Sequence, residues 1–133
     1  PEHEEQDAED PEYESENIIA TIIDDICRSK RYGLLSFKFN YPLRKILRTD
    51  TISDFEDKNF ILAPGTHCDF VIFNNLDKRI QLIIEVDGKQ HEDKIQKQRD
   101  KRKDRLLHAA GLKLMRIKTT DVLVKETIEA QLA

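Results

Sequence analysis

Acidic residues embedded in apolar runs are the part of this sequence that most needs a chemical reason. Asp69 stands in His67-Cys68-Asp69-Phe70-Val71-Ile72, and a second apolar run beginning at Ile80 ends in Glu85-Val86-Asp87-Gly88-Lys89-Gln90-His91. Side chains alternate along a strand, so Glu85 and Asp87 share a face with Ile83, opposite Leu82, Ile84 and Val86. With a turn centred near Asp77, position 69 falls across from position 85, and three carboxylates gather at one end of a hairpin. A one-residue slip in register would scatter them. Grouped carboxylates repel one another and are costly to bury without a cation. A hard divalent ion such as Mg²⁺ or Mn²⁺ removes that cost, because it favours a few carboxylates, some water and a substrate phosphate. It can also polarise a phosphodiester and acidify a bound water, which is the chemistry of phosphodiester hydrolysis. The plainer alternative, exposed acids on an edge strand, fits poorly with flanking runs apolar enough for inner strands.

His91 lies just beyond these acids. An imidazole that titrates near neutrality can position a water, shuttle a proton or contact a phosphate; it can equally cap the helix that follows. His67 falls on the side of Asp69 by alternation and reads as a solvated or supporting group rather than a ligand. Two cysteines and four histidines show no spacing that would suit structural zinc. From Lys94 to Arg105 the chain holds seven basic residues, among them Lys97, Arg99, Arg102 and Lys103, beside Asp100 and Asp104. Such a run often forms a solvated helix face laced with ion pairs. Directly after an acidic strand end it also reads as a phosphate-contacting surface for nucleic acid. Aromatic residues are few and not interleaved with these bases, so single-strand stacking has no support in the sequence.

The elements that must position these groups are legible in outline. Ile18, Ile19, Ile22, Ile23 and Ile26 make a helical stripe that begins near Ser15, a plausible N-cap. Leu35, Phe37 and Phe39 alternate as a strand that should stop at Tyr41-Pro42. Leu43, Ile46 and Leu47 suggest a short helix, followed by a polar stretch to Asn59 and a short apolar run, Phe60 to Ala63. His67 to Phe73 and Ile80 to Asp87 read as a hairpin joined by a turn over residues 74–78. A helix from Glu92 to about Ala110 is stopped by Gly111, a strand covers Leu112 to Ile117, and Thr119 or Thr120 can cap a last helix. That order predicts one α/β or α+β domain with a mixed sheet flanked by helices.

The chain has 133 residues, enough for one small domain. Its net charge of −4 conceals an asymmetry, since residues 2–16 hold nine acidic groups and no Lys or Arg. The remainder has 22 basic against 17 acidic residues, a basic body compatible with a polyanion. Residues 1–14 are expected to be an acidic, disordered linker, and residues 15–133 the folded domain. A start at Pro1 without methionine reads as a piece of a longer protein. No run approaches the roughly 20 apolar residues of a membrane span, and nothing resembles a secretory signal. Cys27 and Cys68, without CxxC spacing, read as buried free thiols in a reducing, cytoplasmic setting.

Four segments taken together closely resemble the PD-(D/E)XK nuclease superfamily, in its very-short-patch-repair-like branch with an ExDGxxH strand end. They are His67 to Ile72, Ile84 to His91, Arg99-Asp100-Lys101-Arg102-Lys103-Asp104-Arg105-Leu106, and Ala110-Gly111-Leu112-Lys113-Leu114-Met115-Arg116-Ile117. The resemblance implies a restriction-endonuclease-like αβββαβ core and Mg²⁺-dependent cleavage of DNA. It implies that Asp69 and Glu85 bind metal, with Asp87 alongside, and that an acid of the first helix joins them, for which Glu16 is the best placed. The superfamily's usual lysine, two residues after the Glu85-type acid, is Asp87 here. Its role would fall to Lys89, just beyond the strand, or to Lys103 on the following helix, which the resemblance favours. Targeting would come from other domains of a DNA-processing or defence protein, or from a partner. The missing lysine keeps open a catalytically inactive domain that binds nucleic acid or protein.

Overall fold

The structure is a computed structural model that describes residues 11–88 and 93–133. The expected linker up to residue 10, and the expected site residues Lys89 and His91, lie outside the described residues. The first helix, α1, runs Pro11–Arg28, one turn earlier than the expected start at Ser15. Proline is pre-organised for the first helical turn. Of the isoleucine stripe, Ile19, Ile23 and Ile26 are buried, whereas Ile18 is 60% exposed.

Strand β1 (Leu35–Pro42) carries on through Tyr41 and Pro42, where a stop was expected. It lies at the sheet edge, where a missing N–H breaks no ladder. The short helix at Leu43 is a single 3-10 turn, Leu43–Lys45. Helix α2 (Phe55–Leu62) was not anticipated; the sequence reads there as a polar stretch and a short apolar run. The signal that could have found it is its cap. Asp54 accepts a bond from the Asp57 backbone N–H at 2.9 Å, and Glu56 and Asp57 occupy the first turn.

Strands β2 (His67–Asn74) and β3 (Ile80–Asp87) form the expected hairpin. Helix α3 (Lys94–Ala109) ends at Gly111, whose φ of 76° is the left-handed conformation that glycine adopts without strain. Strand β4 (Leu114–Lys118) follows, and the final helix α4 spans Val124–Leu132. That helix starts later than a Thr119 or Thr120 cap requires, because those threonines form a turn and Leu123, at φ 56°, immediately precedes it. The fold is α+β, with one four-stranded mixed sheet in the order β1-β2-β3-β4 and the helices around it. β1, β2 and β3 run antiparallel, and α3 carries the chain back to set β4 parallel to β3. The order αβββαβ is thus present, with the 3-10 turn and α2 inserted and α4 appended.

Alternation along β3 sorts the core onto two faces. Leu82, Ile84 and Val86 pack with Ile19, Ile23 and Ile26 of α1 and Ile128 of α4. Ile83 packs on the other side with Val71, Phe60, Ile61, Leu106 and Leu107, so α2 and α3 cover the face that carries the acids. Both cysteines are free, and burial pushes the Cys68 thiol up to about 12, which keeps it protonated and inert. Among the described residues no helix is long and apolar enough to cross a membrane. Leu107 has no exposed surface and anchors α3 to the sheet. Leu107→Ala should therefore lower unfolding free energy by about 2–5 kcal/mol, measured by urea denaturation.

Candidate active site

The hairpin register places Phe70 opposite Ile84 and Val71 opposite Ile83, which extrapolates to Asp69 facing Glu85. At that position side chains replace the backbone ladder. The Asp69 backbone N–H donates to Glu85 Oε2 at 2.9 Å, and the Val86 N–H donates to Asp69 Oδ2 at 2.7 Å. Each carboxylate is therefore held by the other's strand. Backbone N–H donors fix their geometry without occupying a cation's worth of charge.

Helix α3 supplies the third member. Lys103 Nζ donates to Glu85 Oε1 at 2.6 Å and to the His67 carbonyl at 2.7 Å. The lysine side chain is 14% exposed and that of Glu85 only 4%. Leu106 and Leu107, one turn further on, are buried against the sheet, and this contact aims Lys103 at the strand ends. Of the two lysines considered from sequence, Lys103 is therefore at the acids. Lys89 is not described.

A cavity of about 250 Å³ opens over this arrangement, lined among others by Glu16, Asp69, Glu85, Arg99 and Lys103. Glu16 reaches it from α1, and its charge helps to raise the Asp69 carboxyl. Asp87 does not line the cavity. Its Oδ1 accepts from Arg116 at 2.8 Å, and the same guanidinium binds Asp104 at 2.6 Å and lies 3.9 Å from Asp100. The alternation that put Asp87 on the face of Glu85 is correct, but β4 brings an arginine to it. Among the described residues no three Asp, Glu, His or Cys side chains converge as a preformed metal cage. The expected group of Asp69, Glu85, Asp87 and Glu16 thus reduces to an Asp69–Glu85 pair with Glu16 on the same cavity wall.

The basic surface divides in a similar way. Lys97 and Arg99 are exposed on α3, and Arg99 lies 5.2 Å from the Phe60 ring centre at the cavity rim. Arg102 is drawn into the fold by Glu56 at 3.2 Å and Asp57 at 3.5 Å, where it helps Arg105 tie α3 to α2. Several lining residues were missed from sequence: Phe60, Thr66 and Gln96. Thr66 is 1% exposed, and its hydroxyl has no partner among the described residues. A threonine one place before a strand carries no pattern that would reveal this.

Burial dominates the electrostatics of the pair. Burial is the largest cause holding the Asp69 carboxyl above its usual range, opposed by the Val86 N–H and Glu85. Burial likewise raises Glu85, opposed first by the Lys103 ammonium. Among the described residues the cavity wall carries the carboxylates of Glu16, Asp69 and Glu85 and the cationic side chains of Arg99 and Lys103. Because the folded-state pKa values lie above the unfolded ones, these groups stabilise the fold fully below about pH 4 and lose that contribution as pH rises through the folded values. Asp57, lowered chiefly by its bond to Arg105, acts in the opposite sense, so the measurement must be differential. The metal-free chain should lose more melting temperature than Asp69→Asn between about pH 5 and about pH 8. Added Mg²⁺ should restore more at the higher pH in the wild type than in the variant.

A family model described as a protein of unknown function (DUF2726) matches residues 42–133, which takes in Asp69, Glu85, Lys103 and Arg116 but not Glu16. No curated protein and no solved structure matches the chain.

Proposed function

The chain belongs to the DUF2726 family, whose description assigns no activity, and from the site we propose that it is a metal-dependent nuclease module that hydrolyses DNA phosphodiester bonds. The observation that carries this reading is the placement of Lys103 against Glu85 and beside Asp69. An acid–acid–lysine trio at a strand end is the arrangement that the PD-(D/E)XK resemblance calls for. The sequence has no lysine in the usual place, and the contact of Lys103 with Glu85 supports this α3 residue as its substitute. Asp69 and Glu85 would hold Mg²⁺ or Mn²⁺, with Glu16 on the same cavity wall. Such an ion supplies charge for a phosphate oxygen and lowers the pKa of a bound water.

The chain's own residues divide the remaining work. Lys103, held by Glu85 and the His67 carbonyl, places an ammonium where negative charge develops on the phosphate. Arg99 at the rim and Lys97 along the same helix hold the backbone on either side. The site is built on strands and a packed helix, which holds these groups to the tolerance that positioning demands. With so little surface for reading sequence, targeting falls to other domains of a DNA-processing or defence protein, or to a partner.

The other reading is an inactive nuclease-fold domain that binds nucleic acid or protein. The acid Asp87 at the place of the superfamily's usual lysine is the feature that favours it. Nicking of supercoiled plasmid separates the two. Cutting that needs Mg²⁺ or Mn²⁺, stops with chelator and disappears in Asp69→Ala and Glu85→Ala supports the nuclease. Equal cutting by all three proteins would mean a contaminant, and DNA binding without cutting would support the inactive domain.

A further inference from the structure

We propose that a second cavity, which shares Asp69 and Glu16 with the first, is a subsite for one nucleobase of the substrate next to the cleaved phosphate. This inference rests on the nuclease reading. The cavity measures about 280 Å³ and is lined by Glu16, Asn17, Ala20, Phe39, Asn40, Asp69 and Phe70. That is slightly below the roughly 300–1,000 Å³ of pockets for whole ligands, a size suited to a fragment such as a base.

The backbone at Asn40 is the first observation. The β1–β2 register pairs Phe39 with Phe70 and Tyr41 with Cys68, so Asn40 stands opposite Asp69, yet the pair at Asn40 is missing. Asn40 instead has φ 48°, in the left-handed region, in the middle of a strand. Asparagine tolerates that conformation better than most residues but is strained there relative to glycine. A local irregularity in an edge strand re-aims a side chain, and such irregularities cluster beside active sites. This one lies directly across from the acid that anchors the proposed reaction centre.

The lining is the second observation. Phe39 is 68% exposed, leaving a flat ring available to stack on a base. Among the described residues the carboxamides of Asn17 and Asn40 have no hydrogen-bond partner in the protein. A carboxamide donates and accepts at once, as the edge of a base requires. Among the described residues no Lys or Arg lines this cavity, whereas Lys103 and Arg99 line the first, so the first suits a phosphate and this one an uncharged ring. The two cavities thus divide a nucleotide between them, phosphate to the one with Lys103 and Arg99, base to the one with Phe39 and Asn40.

The test measures binding of the full chain to short single-stranded oligonucleotides in Ca²⁺, beside cleavage in Mg²⁺. A fluorescent purine analogue is walked along the strand, and each position is also replaced by an abasic site. One position should report stacking, and removing its base should weaken binding about tenfold. Phe39→Ala should erase both effects. Asn40→Gly, which keeps the left-handed backbone without strain, should flatten discrimination among bases at that position. If the wild type binds and cuts but abasic replacement at every position changes nothing, the subsite is wrong and the nuclease reading stands. If the chain neither binds nor cuts nucleic acid, the nuclease reading fails and the subsite falls with it.

Discussion

Lys103→Met is expected to lower metal-dependent DNA cleavage by roughly two to three orders of magnitude, the loss seen when one preorganised electrostatic group is taken from a reacting centre. The expectation follows from position. The ammonium is 2.6 Å from Glu85 Oε1 and 2.7 Å from the His67 carbonyl, in a site where its side chain is 14% exposed. Charge held in so little water acts more strongly on a developing phosphate charge than it would in solution. Lys103→Arg should not rescue activity. A planar guanidinium needs more room than a point-like ammonium and would meet the same two oxygens with different geometry.

Removing Lys103 also strips Glu85 of its cation. Breaking a buried pair from one side costs about 3–5 kcal/mol when the remaining charge is uncompensated. Glu85 can limit this by taking up a proton, since the Lys103 ammonium is the main influence holding its carboxyl down against burial. The melting temperature of Lys103→Met should therefore fall more at neutral than at acidic pH. A metal titration separates the roles. Lost cleavage with Mg²⁺ affinity kept or improved marks a lysine that acts on substrate. Full activity in Lys103→Met would remove the observation that carries the nuclease proposal.

Asp69→Ala and Glu85→Ala are expected to abolish cleavage to a similar degree, with different effects on the fold. Asp69 accepts from the Val86 N–H and Glu85 from the Asp69 N–H, so each truncation orphans one backbone donor. Such a loss costs about 1–3 kcal/mol where the donor is buried. Glu85→Ala additionally leaves Lys103 without its carboxylate and should be the less stable of the two. Asp69→Asn keeps an oxygen for the Val86 N–H while removing charge, and should fold nearly as well as the wild type. Glu85→Gln has one oxygen where both of those on Glu85 accept, and it leaves Lys103 without its carboxylate, so it should be less stable than Asp69→Asn. Both should bind Mg²⁺ weakly and fail to cut, as calorimetric titration and plasmid nicking would read. Wild-type cleavage in Asp69→Asn would exclude Asp69 as a metal ligand.

Arg116 was not singled out in the sequence, because a basic residue in an apolar run has many readings. In the fold it binds Asp87 and Asp104 and lies near Asp100, clamping β4 and the end of β3 to α3. This explains why an acid two residues from Glu85 is not in the cavity. Strand alternation placed Asp87 on the face of Glu85; a partner 29 positions away engages it there. The same holds for Arg102, which charge pattern assigned to nucleic acid and which the fold engages with Glu56 and Asp57.

Local physics made much of the rest legible. Period-two alternation in β2 and β3, a short polar turn and the apolar character of both runs were enough to align Asp69 with Glu85, because the side-chain period of a strand leaves few registers that keep both faces consistent. The isoleucine stripe of α1 and the glycine stop after α3 were readable for the same reason: helical periodicity and a left-handed C-terminal glycine are properties of adjacent residues. Helix α2 escaped because its eight residues have little amphipathic pattern, leaving only the Asp54 cap to announce it. What the sequence by itself determined is that two acids share a strand end under a basic helix. Only tertiary structure decided that Lys103 reaches Glu85, that Arg116 pairs with Asp87, and that Asn40 stands across from Asp69. Each of those outcomes depends on which remote side chain arrives first at a buried charge or a broken ladder, and pairings across 18 to 29 residues are set by packing rather than by spacing along the chain.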